Sequence, residues 1–311
     1  ILKIADTPPD GNAPADVQCF TYDYLRRLTE AWTSTNDCAT APNPNVVGGA
    51  YAYWHSYTYD RTGGRLKEIR HAVDGSANDV TSEYSYPGHG PGQRQPHALR
   101  QVTTTGPTGT RLDSYGYDEA GNLTSRRLGA TEQRLEWDAE GQLVKVTEGD
   151  KTTSFLYDAD GNRLIRRDPS GTTLYLAGME LTLPAGSNTV KATRYYTHGG
   201  ETVAVRTDDG RLQWLVPDHH GTAEMAIDAA TLAVTRRRFD PFGNQRGTPP
   251  QSWPSERTFL GAVSDPSTGL VSIGAREYDP TTGRFISVDP LLSDDDPQQL
   301  HGYAYSNNNP I

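Results

Sequence analysis

A short unit recurs along this chain of 311 residues: an aromatic residue, an Asp, two or three variable residues, a Gly and then an apolar residue. It reads Tyr59-Asp60-Arg-Thr-Gly63-Gly-Arg-Leu66, Tyr117-Asp118-Glu-Ala-Gly121-Asn-Leu123, Trp137-Asp138-Ala-Glu-Gly141-Gln-Leu143 and Tyr157-Asp158-Ala-Asp-Gly161-Asn-Arg-Leu164. Looser copies stand at Phe239-Asp240-Pro-Phe-Gly243 and Tyr278-Asp279-Pro-Thr-Thr-Gly283-Arg-Phe285, and an early copy, Tyr22-Asp23-Tyr-Leu-Arg-Arg-Leu28, has no Gly. The aromatics at 117, 137 and 157 are 20 residues apart, which is room for two ordinary strands and two turns. So short a repeat cannot bury a hydrophobic face alone, and neighbouring copies have to stack.

Each copy reads as a β-hairpin corner. The Asp accepts hydrogen bonds from backbone amides two or three residues on, and the Gly supplies the positive φ needed to leave the turn. The aromatic before the turn and the leucine after it then face each other across two strands. Flanking stretches at 152–157, 172–176 and 193–197 are rich in Thr and Tyr, as strands are. No segment shows a long 3.6-residue apolar period; the best helical candidate, 25–32, is one or two turns at most. Residues 34–50 and 87–97 break the rhythm and read as loop insertions. The fold class is therefore all-β, a spiral of stacked antiparallel hairpins over residues 1–243, followed by a specialised terminal segment at 244–311.

Composition agrees with thin walls. Hydrophobic residues make up 34% of the chain, and 17 Tyr stand against 6 Phe; mean hydropathy is −0.68. A tyrosine buries its ring while its hydroxyl finds a polar partner. The formal charge of −10 argues against nucleic acid as a partner. No run approaches the ~18 apolar residues of a membrane helix. Cys19 and Cys38 are too few for a four-ligand zinc site; they form a disulfide in an oxidising compartment and stay free in a reducing one. Both ends, Ile-Leu-Lys-Ile and Asn-Asn-Asn-Pro-Ile, read as cut, so the chain is expected to be a piece of a longer protein.

The units resemble the YD repeat, and the terminal segment resembles the Rhs-associated core. That second resemblance rests on Phe259-Leu-Gly261, Asp265-Pro-Ser-Thr-Gly-Leu270, Gly274-Ala-Arg276-Glu-Tyr278-Asp279-Pro280, Gly283-Arg284-Phe285, Asp289-Pro290 and Tyr303-Ala-Tyr305-Ser-Asn-Asn-Asn-Pro310. The Rhs/YD-repeat family includes bacterial polymorphic toxins, the shell-forming component of insecticidal toxin complexes, and teneurins. The resemblance implies a hollow β-shell, secreted or at the bacterial cell surface, that encloses a C-terminal toxin domain of the same polypeptide. It further implies a core that plugs one end and, in many members, cuts the chain beyond itself as an aspartyl protease. A secretion apparatus or cell-surface glycans are further implied partners, the latter through a teneurin-like adhesion surface.

Aspartyl proteolysis needs two carboxylates, one to activate water and one to protonate the scissile carbonyl, and a nearby Arg favours the ionised form of one. The matching positions are Arg276 and Asp289. A hairpin around Pro280-Thr-Thr-Gly283 pairs residue 279 with 284, bringing Arg276 and Asp289 together on one face. Asp279 projects from the other face and reads as the turn-forming residue. The resemblance places the second carboxylate in an Asp-Pro beyond the Asn-Pro segment, so this piece is expected to hold half a site and to be inactive alone; Asp294, Asp295 and Asp296 read as a solvated loop. Without the resemblance, Arg276 and Asp289 read as a structural ion pair. The repeated aspartates read as turn caps rather than glycosidase acids. His219 and His220, as strand neighbours, would point to opposite faces, which disfavours metal binding. No cofactor is expected, since no Ser/His/Asp set, phosphate loop or dinucleotide fingerprint is present.

Overall fold

A computed structural model describes residues 1–8, 14–88, 90, 92–291 and 298–311. Among these, twenty strands form one antiparallel sheet in chain order, each paired with the next, from Lys3–Asp6 to Val234–Arg236. A hairpin of Arg238–Phe239 with Gln245–Arg246 follows, then a four-stranded sheet made of Val263–Asp265, Leu270–Ile273, Arg276–Asp279 and Arg284–Phe285. The all-β expectation holds.

The repeated units are the corners. At Asp138 the amide donates to the Gln142 carbonyl, 3.0 Å, and the Gly141 amide donates back to the Asp138 carbonyl, 3.2 Å. The carboxylate Oδ1 takes the amides of Glu140 and Gln142 at 3.0 and 2.9 Å. Those amides lie two and four residues on, not two or three, because the third already serves the carbonyl. The register slips at each such corner, between Glu136 and Trp137 for example, as a turn closed by a left-handed residue and a bulge demands. Gly141 has φ +78° with open space where a Cβ would stand, so the backbone alone selects glycine. The early copy without Gly makes the same turn with Arg26 at φ 63°.

The sheet contains corners that the repeat pattern does not announce. Asp218 builds the same turn with Gly221 and Thr222, Pro217 standing in the aromatic's place. Residues 207–211 build it with Thr207 where the Asp belongs. The helical stretch at 25–32 is not a helix: Leu28–Thr33 is a strand against Asp16–Tyr22, burying Leu28, Ala31 and Trp32. Residues 34–50 carry no strand beyond a bridge between Ser34 and Val47, and Cys38 within them is joined to Cys19.

At three corners the aromatic also ties the turn to the one before it. Tyr59 Oη donates to the Leu28 carbonyl, Trp137 Nε1 to Leu123 and Tyr157 Oη to Leu143, at 2.7–2.8 Å. Each acceptor sits just after the preceding corner. A phenylalanine has no donor for this bond, which accounts for tyrosine and tryptophan at most of these positions.

Aromatic and leucine do pair across the corner at Tyr117 with Leu123 and Trp137 with Leu143. At the Gly-Gly-Arg and Gly-Asn-Arg copies the facing residue is instead an arginine: Tyr59 pairs with Arg65 and Tyr157 with Arg163. The corner has the same length in all four copies, so the position facing the aromatic falls one residue before that leucine. Leu66 is left on the outside, 43% exposed.

The sheet curls around the terminal segment. Arg238 makes ion pairs with Asp6 of the first strand, Asp16 of the second and Glu224 of the nineteenth. One side chain therefore holds both ends of a ribbon that, at about 4.8 Å per strand, is roughly 90 Å wide. Wall residues Val102, Tyr115, Leu123, Leu135, Leu143 and Phe155 pack on Leu270 and Ile286 of the terminal segment.

Candidate functional site

The hairpin that carries Arg276 is set by its turn. Asp279 Oδ1 accepts the Thr281 amide at 3.0 Å, and its carbonyl accepts the Gly283 amide at 2.9 Å. Asp279 pairs with Arg284 and Tyr278 with Phe285, and the Ile286 amide continues the ladder to the Glu277 carbonyl. On one face, Arg276 and Asp289 are brought together, Nη2 to Oδ2 at 2.8 Å. On the other, Asp279 forms a fully buried ion pair with Arg126 of the wall, 3.0 Å, a contact that spacing within the terminal segment cannot foretell.

The pair is braced by one carbonyl. Gly302 O accepts from Arg276 Nη1 at 3.2 Å and from the Asp289 amide at 2.8 Å. Gly302 has φ +53°, and a Cβ there would press on Val288 at 3.0 Å, so the brace needs glycine. The Arg276 guanidinium also lies over the Phe285 ring, 3.6 Å from its centre. Burial pulls its pKa down from the ordinary value while Asp289 pulls against it. The Leu291 amide donates to Asp289 Oδ1 at 3.0 Å, leaving the carboxylate partly open to a cavity of about 190 Å³.

The floor of that cavity is Ser306 and Asn307. Ser306, Asn307 and Asn308 all have positive φ. Asparagine tolerates this conformation better than most residues, which gives Asn307 and Asn308 a backbone reason. Asn308 Nδ2 then reaches the Gly63 carbonyl of the wall, 2.9 Å. Among the described residues, Asp289 is the one carboxylate lining the cavity. Asp294, Asp295 and Asp296 lie outside the described residues.

His219 and His220 do not diverge. They sit in a corner rather than on a strand, and their rings lie tilted by 51° with centres 4.0 Å apart. No group of three metal-ligating side chains occurs among the described residues.

Sequence reasoning missed the arginines that line the wall's inner face. Arg163 reaches Asp265 and Glu277 of the terminal segment at 2.7 and 2.8 Å. Arg166 reaches Asp265 at 3.0 Å and Glu256 at 2.9 Å, and Arg246 of the terminal segment reaches Asp16 of the wall at 2.6 Å. For Arg163 the available signal was its place after Gly-Asn in the repeat, once the corner's length is counted; Arg166 and Arg246 carry no such mark.

A sequence model described as Teneurin YD-shell matches residues 106–311. The chain belongs to that family. This YD-shell chain is 29% identical over 265 residues to the tRNA3(Ser)-specific nuclease WapA of Bacillus spizizenii, covering 82% of this chain and 10% of that protein. It is 25% identical to toxin subunit YenC1 of Yersinia entomophaga, covering 94% of this chain and 32% of that one. It is 24% identical to human teneurin-4, with 83% and 11% covered. The crystal structure of TcdB2-TccC3 superposes on 99% of the YD-shell chain and 18% of its own, with a TM-score of 0.64 at 15% identity, which shows a shared fold. The YD-shell chain thus spans between a tenth and a third of the length of these relatives.

Proposed function

We propose that this chain is the closing piece of a secreted shell: a hairpin wall whose terminal segment seals it and which encloses a toxin carried further along the same polypeptide. The observation that carries the reading is the wall curled around its own terminal segment, both sheet ends meeting at Arg238. Kinship with a toxin subunit and with a nuclease supports the toxin. The Cys19–Cys38 bond suits an oxidising, extracellular setting.

Within the same reading, Arg276 and Asp289 are half of an aspartyl self-cleavage site. Asp289, as the carboxylate partner of Arg276, would take the proton of the attacking water, and a second carboxylic acid would protonate the scissile carbonyl. The boundary between wall and sealing segment falls near residue 243. The test is the protein extended past Ile311 into the segment that follows, compared with its Asp289→Asn form by intact mass. Cleavage in the parent and none in the variant is expected. Equal cleavage in both removes Asp289 from the chemistry. A teneurin-like adhesion surface is the second reading, favoured by the family match itself; glycan binding to the outer wall, with nothing enclosed, would support it.

A further inference from the structure

His301 lies where the terminal segment meets the wall. It is 4% exposed, and neither ring nitrogen has a hydrogen-bond partner among the described residues. Its ring is 4.7 Å from that of His97 in the wall and packs on the corner at Gly63, where a Cβ would stand 3.5 Å from His301 Cδ2. The same residue lines two cavities of about 190 Å³ each, one holding Arg276 and Asp289, the other Arg27 and Arg61.

Among the described residues, the charges that face this joint are mostly positive. Arg284, from the hairpin of the terminal segment, reaches across to Tyr86 Oη and the His97 carbonyl. Arg27 and Arg61 come from two wall corners and Arg276 from the neighbouring strand. The carboxylates nearby are engaged: Asp289 by Arg276, Asp23 by Arg27, and Asp60 by the amides of Thr62 and Gly64. A proton placed on His301 would enter a buried space already ringed by guanidinium groups.

We propose that His97, Arg284 and His301 form an acid-sensitive latch: with His301 neutral the terminal segment stays closed against the wall, and protonating His301 opens the joint. Burial, with Arg284 and His97 adding to it, holds the imidazole well below its ordinary value. The sign follows. Closure is fully favoured above the open-state pKa of about 6.5 and weakens as pH falls below it. The shift is about tenfold per pH unit until the closed-state pKa is reached. The latch deepens the reading of this segment as the shell's seal and rests on that reading for its purpose, though not for its measurement.

The test is hydrogen exchange on the full chain at about pH 7.5 and about pH 5, corrected for intrinsic rates. On acidification, peptides covering 95–100, 282–288 and 299–308 should lose protection about tenfold or more relative to the wall peptide 143–157. His301→Gln, neutral at both pH values, should lose that difference. The proposal is overturned if parent and variant respond alike, or if the parent does not respond. Should His301→Gln fail to fold, imidazole titration by NMR in the parent decides: protonation near pH 6.5 with the joint still protected overturns it. Neither readout needs an enclosed toxin. A responding joint with the downstream chain outside defeats the shell and spares the latch; a silent joint around an enclosed chain does the reverse.

Discussion

Arg126 is shut away from bulk solvent, and so is its partner Asp279; both side chains are 2% exposed. Burying two ions costs several kcal/mol each, and their attraction recovers this only when the remaining donors are satisfied. Here they are, by Gln133 Oε1 and the Thr268 carbonyl. The pair contributes registry between wall and terminal segment more than net stability. Removing one member is another matter, because the other is left charged and alone. Arg126→Met is expected to cost about 3–5 kcal/mol in a urea unfolding experiment, and adding Asp279→Asn should recover part of the loss while keeping the turn acceptor. A cost under ~1 kcal/mol would mean that water reaches the pair. The placement of Arg276 beside Asp289 was legible because one turn fixes it. Arg126 and Arg166 were not, since a strand's sequence gives alternation but not which face looks inward.

A hairpin corner of this type asks its third residue after the Asp to adopt positive φ, whatever residue stands there. Gly141 does so in open space, so Gly141→Ala measures the backbone cost alone, about 1–2 kcal/mol. Arg26 already bears that cost at φ 63°, and Arg26→Gly should stabilise the chain by up to about 1 kcal/mol. Matched thermal unfolding of the two variants checks both signs; a neutral Gly141→Ala would mean that the corner relaxes to another turn. The corners at 59–66, 117–123, 137–143 and 157–164 were legible because Asp and Gly stand at fixed offsets. The corners at 207–211 and 217–222 escaped notice because Thr207 and Pro217 replace one signature residue each, and a turn can be made without it. The strand at Leu28–Thr33 was misread for a related reason: Leu28, Ala31 and Trp32 fall at helical spacing, and only the neighbouring Asp16–Tyr22 strand decides otherwise.

Across the whole molecule, the wall has no thick interior of its own and is stable because it wraps something. A further constraint ties the start of the wall: Cys19 and Cys38 close a loop of 19 residues in sequence, worth about 3 kcal/mol by loop entropy. Reductant should lower the unfolding midpoint of the parent and leave a Cys19→Ala/Cys38→Ala variant unchanged; equal sensitivity in both would place the effect elsewhere. The wrapping is best tested where wall and terminal segment touch through small side chains. Thr153 Oγ1 of the wall lies 2.9 Å from Ser267 Oγ of the terminal segment, whereas Thr152 points to the opposite, exposed face. Under mild oxidation, Thr153→Cys with Ser267→Cys should close an intrachain disulfide, and Thr152→Cys with Ser267→Cys should not. Bonding in neither pair, or in both alike, would contradict a terminal segment held against the inner face of the wall.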